Sequence, residues 1–176
     1  MNRTRRSATC FINVVVVFSL VQFSGCFDHK VTALPPATTT GERTIGFLLN
    51  GELWVPQGKL LDQKIEFSYD WLGGGHLWIG ARRFGDGPKE YFDIVADSVT
   101  STGAYSFTAP PSLVNCQYLK TCGYDDTVTD FFQTGVLNIT KLDLATGIVS
   151  GTFEITIAVP LCDTLRITEG RFDMKP

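Results

Sequence analysis

Residues 152–159 read TFEITIAV, with Phe153, Ile155, Ile157 and Val159 on one parity and Thr152, Glu154, Thr156 and Ala158 on the other. A period of two sends successive side chains to opposite faces of an extended strand, and such a strand must find an apolar surface for one face. The stretch KIEFSYDW repeats the pattern: Ile65, Phe67, Tyr69 and Trp71 alternate with Glu66, Ser68 and Asp70. A chain written in this period cannot pack as a helix bundle. It has to build sheets and cover them.

The punctuation agrees. Asn50-Gly51 separates the apolar runs TIGFLL and ELWV, and this dipeptide readily takes positive φ at both central positions of a type I′ hairpin. Gly73-Gly74-Gly75, Gly85-Asp86-Gly87-Pro88 and Ala145-Thr146-Gly147 break the chain again. Nine short strands result, with residues 109–130 left as a long structured loop. The spacing predicts an all-β domain over residues 44–176, an antiparallel β-sandwich or open barrel of about nine strands. No internal repeat is visible.

The first 43 residues follow other rules. Arg3, Arg5 and Arg6 precede the apolar run from Cys10 to Phe23, which is shorter than the roughly 20 residues needed to span a bilayer. A basic head, a short apolar middle and the small residues Ser24-Gly25 read as a secretory signal peptide over residues 1–25. Removing it takes three arginines and no acid, so the net charge goes from −3 to −6. An acidic chain without Lys/Arg clusters is poorly suited to nucleic acid, because phosphate contacts require positive charge. Residues 26–43 are rich in Thr and Pro and read as a flexible tether; the 18 residues from Phe27 to Thr44 would span roughly 20–25 Å as a coil. His29 falls in this segment as a solvated residue.

Phe23-Ser24-Gly25-Cys26 resembles the lipobox of bacterial lipoproteins. The resemblance implies cleavage before Cys26, acylation of its thiol and of the new N-terminus, and a bilayer as the first partner. More than one acyl chain makes such anchoring stable, at about 0.8 kcal/mol per buried CH₂. Over most of residues 44–175 the chain also resembles a group of uncharacterised Bacteroidota lipoproteins. Asn50, Gly51, Trp54 and Pro56 match an NGxxWxP hairpin, and Gly151, Thr152, Phe153, Ile167, Thr168, Gly170, Arg171, Phe172 and Asp173 match a GTF…ITxGRFD hairpin. That resemblance implies an all-β lipoprotein of a diderm envelope, on the outer membrane, and carries no catalytic residue.

With Cys10 in the signal and Cys26 lipidated, Cys116, Cys122 and Cys162 remain. An exported chain forms disulfides, and three thiols give one bridge with three pairings open. A local Cys116–Cys122 clip across the irregular loop is slightly favoured over a bridge to Cys162. Zinc is disfavoured, because the spacing is that of no common site and no nearby His completes one. Asp125, Asp126 and Asp130 lack calcium-loop spacing and read as a solvated acidic loop. No metal or cofactor is expected.

His76 is the one histidine of the folded region and opens a strand after three glycines. Neither G-x-S-x-G nor H-E-x-x-H occurs, so a nucleophile with a base has no signature. Glu66, Asp70, Asp93, Glu154 and Asp173 lie on expected strands, and Arg171 and Asp173 share a parity that suits a surface ion pair. Trp54 and Trp78 oppose apolar neighbours on their strands, which gives either a two-faced core or an exposed aromatic platform for sugar rings. The expected function is a non-catalytic module that binds a glycan, peptide or envelope protein. A carboxylate hydrolase acting on glycans and a purely structural envelope component are the alternatives.

Overall fold

The computed structural model describes residues 32–59, 61–85, 87–108, 114–125, 127 and 130–176. The expectations placed on residues 1–31, Cys26 among them, and on Asp126 lie outside the described residues. The described chain is all-β, with eleven strands: β1 (Thr44–Leu49), β2 (Glu52–Trp54), β3 (Ile65–Asp70), β4 (His76–Arg83), β5 (Glu90–Ala96), β6 (Gly103–Phe107), β7 (Val114–Leu119), β8 (Gly123–Tyr124), β9 (Phe132–Asp143), β10 (Ile148–Ala158) and β11 (Leu165–Met174). They form two antiparallel sheets, β2-β1-β11-β10-β9-β6 and β3-β4-β5-β7-β8, which do not close into a barrel. The sandwich expectation holds and the barrel alternative falls.

Two strands exceed the nine read from periodicity. Both lie in residues 109–130, which are therefore only partly a loop. β7 pairs along β5 from Tyr91↔Leu119 to Ala96↔Val114, inside the second sheet. Its Cys116 and Tyr118 are buried. The cysteine reads as a disulfide candidate in sequence, yet it behaves here as a small apolar residue on the inward parity.

The β1–β2 hairpin turns as its sequence dictates, with φ of 52° at Asn50 and 86° at Gly51. Arg43, just before β1, donates to the Ile65 carbonyl of β3 at 3.4 Å. Leu49, at the other end of β1, lines a cavity together with Tyr118 and Tyr124 of β7 and β8. β1 thus runs across the strand order of the second sheet, a crossed rather than aligned packing. The core at this crossing is aromatic. Phe47 stacks on Trp54 at 4.6 Å, Phe92 sits 4.5 Å from Phe47 and 5.6 Å from Phe153, and Phe172 follows at 6.4 Å from Phe153. Rings from both sheets interdigitate, each removing a large apolar area from water.

Residues 35–42 are not free tether. They form a strap over the outer face of the first sheet, and the compact unit runs from Val31 to Pro176. The Thr38 hydroxyl and the backbone N–H groups of Thr40, Gly41 and Glu42 all donate to the Asp173 carboxylate, at 2.7, 3.0, 2.9 and 3.2 Å. Ser150 donates a fifth bond at 2.7 Å. Pro35 lies so close to Gly46 that a Cβ there would come within 2.7 Å of its Cδ. Asp173 is consequently buried and its carboxyl is pulled down to about 2: burial pushes it up, and the hydroxyl and amide donors more than reverse that. The expected Arg171–Asp173 ion pair does not form; Arg171 pairs with Glu169.

Candidate functional site

Glu90 is the first residue of β5, on the same inward parity as Phe92, Ile94 and Ala96. A carboxylate there is costly unless it is fully hydrogen-bonded and paired. Its Oε2 accepts the Trp54 indole N–H at 2.7 Å and the Tyr118 hydroxyl at 2.6 Å. Its Oε1 faces Lys120 Nζ at 3.2 Å and Arg83 Nη1 at 3.7 Å. Arg83 also donates to the Leu53 and Val55 carbonyls and lies 5.0 Å over the Trp54 ring. Four strands and the segment after β7 therefore converge on one buried anion.

Burial alone would raise the Glu90 carboxyl, but the bonds from Tyr118 and Trp54 and the charge of Arg83 bring it below its ordinary value. Glu90 is ionised at neutral pH. Tyr118 moves the opposite way, pushed up first by burial and then by its bond to the carboxylate. The phenol stays protonated and donates.

Above this cluster lies a cavity of about 430 Å³, within the size range of small-ligand sites. Asn50 and Glu52 of the first hairpin, Thr121 after β7, and Leu161 and Asp163 of the β10–β11 turn complete its wall. Two further wall residues, Cys122 and Cys162, form a disulfide across 40 positions of sequence. The bridge ties the β7–β8 hairpin of one sheet to the β10–β11 turn of the other. The Tyr124 hydroxyl reinforces it by donating to the Asp163 carbonyl at 2.7 Å.

This overturns the Cys116–Cys122 pairing. Cys116 lies on the inward face of β7 and stays a free, fully buried thiol, whereas Cys122 lies beyond the strand end and faces the turn. Local spacing favoured the short clip; the strand between the two cysteines points them to different places. Burial, with the Asp93 charge as a lesser cause, pushes the Cys116 thiol well above its usual value, so it is no nucleophile.

The aromatic platform is overturned as well. Trp54 is wholly buried under Arg83 and bonded to Glu90. Trp78 lies on the other face of its sheet, half-buried, donating to Asp93 at 3.2 Å. The two share no surface. Asp93 also receives Arg82, which bridges to Glu66, so these two acids serve an ion-pair ladder on the outer face of β3–β5. The exposed tryptophan is Trp71, in the β3–β4 turn.

Protein-family models, curated proteins and solved structures offer no match to this chain. Its chemistry therefore rests on the geometry alone.

His76 pairs with Asp97 at 2.6 Å on the surface and does not line the cavity. Among the described residues, no three His, Cys, Asp or Glu side chains gather closely enough to hold a metal ion. Asp125 bonds the backbone N–H of Thr127 at 2.9 Å, a local turn contact. Sequence reasoning missed Glu90, Arg83 and Lys120. One signal could have found them: Glu90 is a charged residue at an inward parity position, and such a residue needs partners.

Proposed function

We propose that the chain is a lipid-anchored protein of the bacterial envelope whose β-sandwich is a non-catalytic binding module, with its ligand held in the cavity above Glu90. The observation that carries the binding role is the state of Glu90. It is buried and ionised, and it already accepts two hydrogen bonds and faces two cations. A general acid needs a raised pKa and a free path to substrate. Glu90 has neither, and it instead fixes the Lys120 ammonium at the cavity. The disulfide braces the opposite wall, so the cavity is pre-formed, which lowers the cost of ordering on binding. The anchoring half of the reading is supported by the arginine head, the short apolar run and Phe23-Ser24-Gly25-Cys26.

Two measurements test the two halves. In cells fed labelled palmitate, Cys26→Ser should lose both the label and the membrane association; a variant that keeps them ends the lipoprotein reading. Soluble saccharide and peptide fragments of cell wall, added to the purified protein, should slow hydrogen exchange in residues 49–54 and 118–124. Mass spectrometry should recover the fragments intact. Hydrolysis would end the non-catalytic reading, and absence of protection by every fragment would end the binding role.

A further inference from the structure

Charges of both signs face the cavity, and only some of them pair with one another. On its wall the buried Glu90 is one negative charge against Arg83 and the exposed Lys120, which leaves this cluster a surplus of one positive charge. Each nitrogen of Arg83 is already engaged, by the Leu53 and Val55 carbonyls and by Glu90. Lys120 differs. Its ammonium carries three donors, and Glu90 is its one carboxylate partner among the described residues. The exposed carboxylates of Glu52 and Asp163 also line the cavity, with no ion pair to either among the described residues. Opposite charges within reach on a flexible surface collapse into pairs. Here Lys120 is held back by Glu90, and Asp163 sits on a turn held by the disulfide and by Tyr124.

This arrangement discriminates by charge. A simple anion at Lys120 would share the cavity with two unpaired carboxylates, and a simple cation at those carboxylates would share it with the positive surplus of Lys120 and Arg83. A molecule carrying both signs complements both regions, and unpaired or like-signed alternatives are penalised. We propose that the cavity takes a zwitterion of the amino-acid or short-peptide class, its carboxylate on Lys120 and its ammonium toward Glu52 and Asp163. The inference rests on the cavity being the ligand site and adds the class of ligand.

The test is calorimetric titration of the full-length mature protein in detergent. The probes are alanyl-alanine, its C-terminal amide, its N-acetyl form and a neutral disaccharide. The dipeptide should bind, the amide at least tenfold more weakly, and the N-acetyl form several-fold more weakly. Lys120→Met should abolish the discrimination between acid and amide. Asp163→Asn, at an exposed position with no fold role beyond its backbone, should narrow the gap between free and acetylated amine. Unchanged melting of both variants shows that the site and not the fold has altered. Equal affinity for acid and amide overturns the proposal, as does absence of binding by every probe. Binding of the disaccharide alone overturns it too, while leaving the cavity standing as a binding site.

Discussion

Asp173 shows how far one residue's role depends on what covers it. On a bare outer sheet face it would be a solvated acid; beneath the strap it accepts five bonds. Its pKa lies below the unfolded value of 3.8, so its stabilisation is present above pH 3.8 and is lost as pH falls toward 2. The shift corresponds to about 2 kcal/mol. Asp173→Asn should cost at least that at neutral pH, because it leaves amide donors short of an acceptor. Urea midpoints measured from pH 5 to pH 2 should fall steeply for the natural protein and more gently for the variant; parallel curves would remove Asp173 from the acid response. Cys116 supports a second expectation at this scale. In native buffer it should not react with a thiol reagent, and it should react with one equivalent once urea unfolds the chain. Parity in the sequence already separated Phe153, Ile155 and Ile157 from Thr152, Glu154 and Thr156. It did not say whether Trp54 or Trp78 was the inward one, because both sit among apolar neighbours on both sides.

At the scale of elements, the hairpins were the most legible part. Asn50-Gly51 names its own turn, and TFEITIAV its own strand. β7 and β8 were not legible, since a six-residue and a two-residue strand lodged among Pro, Asn and Cys give little periodicity. β8 is held chiefly by what lies beyond it, the Cys122–Cys162 bridge and the Tyr124 bond. In the loop-closure account a bridge over 40 residues contributes about 4 kcal/mol, an upper figure where the unfolded chain keeps structure. A Cys122→Ser/Cys162→Ser double variant should therefore melt well below the natural protein. Its added hydrogen exchange should concentrate at residues 120–124 rather than in β9–β10. Uniform exchange would mean that the bridge braces the whole sandwich. Within β9, Gly135 has φ of 151° and lies against the Glu154 carbonyl of β10, where a Cβ would collide with the oxygen. Gly135→Ala should lower stability, read from the same melts, although at an unstrained strand position the same change would raise it by roughly 0.5–1 kcal/mol.

For the whole molecule, the boundary between tether and domain is the main revision. The strap moves it from residue 43 to about residue 35. Truncation through Ala33 should leave the melting midpoint within a degree or two. Truncation through Glu42 should lower it strongly, since Asp173 would then be stripped of its amide donors. Equal midpoints would show the strap to be an ornament on an independent domain. The candidate site is a whole-molecule feature in the same sense. Glu90, Trp54, Tyr118 with Lys120, and Asp163 come from four separate stretches of chain, and only the crossing of the two sheets gathers them.

The sequence by itself determined the all-β class, its antiparallel strands, the turns at its hairpins and the basic-apolar-small order of the first 25 residues, and left sandwich against open barrel undecided. These follow from periodicity and backbone preference, which act over a few residues. Tertiary structure alone decided the disulfide partner, the buried tryptophan, the strap on Asp173 and the charged cavity. Each depends on which distant segment covers a given face, and a period of two assigns a side chain to a face without saying what that face will meet.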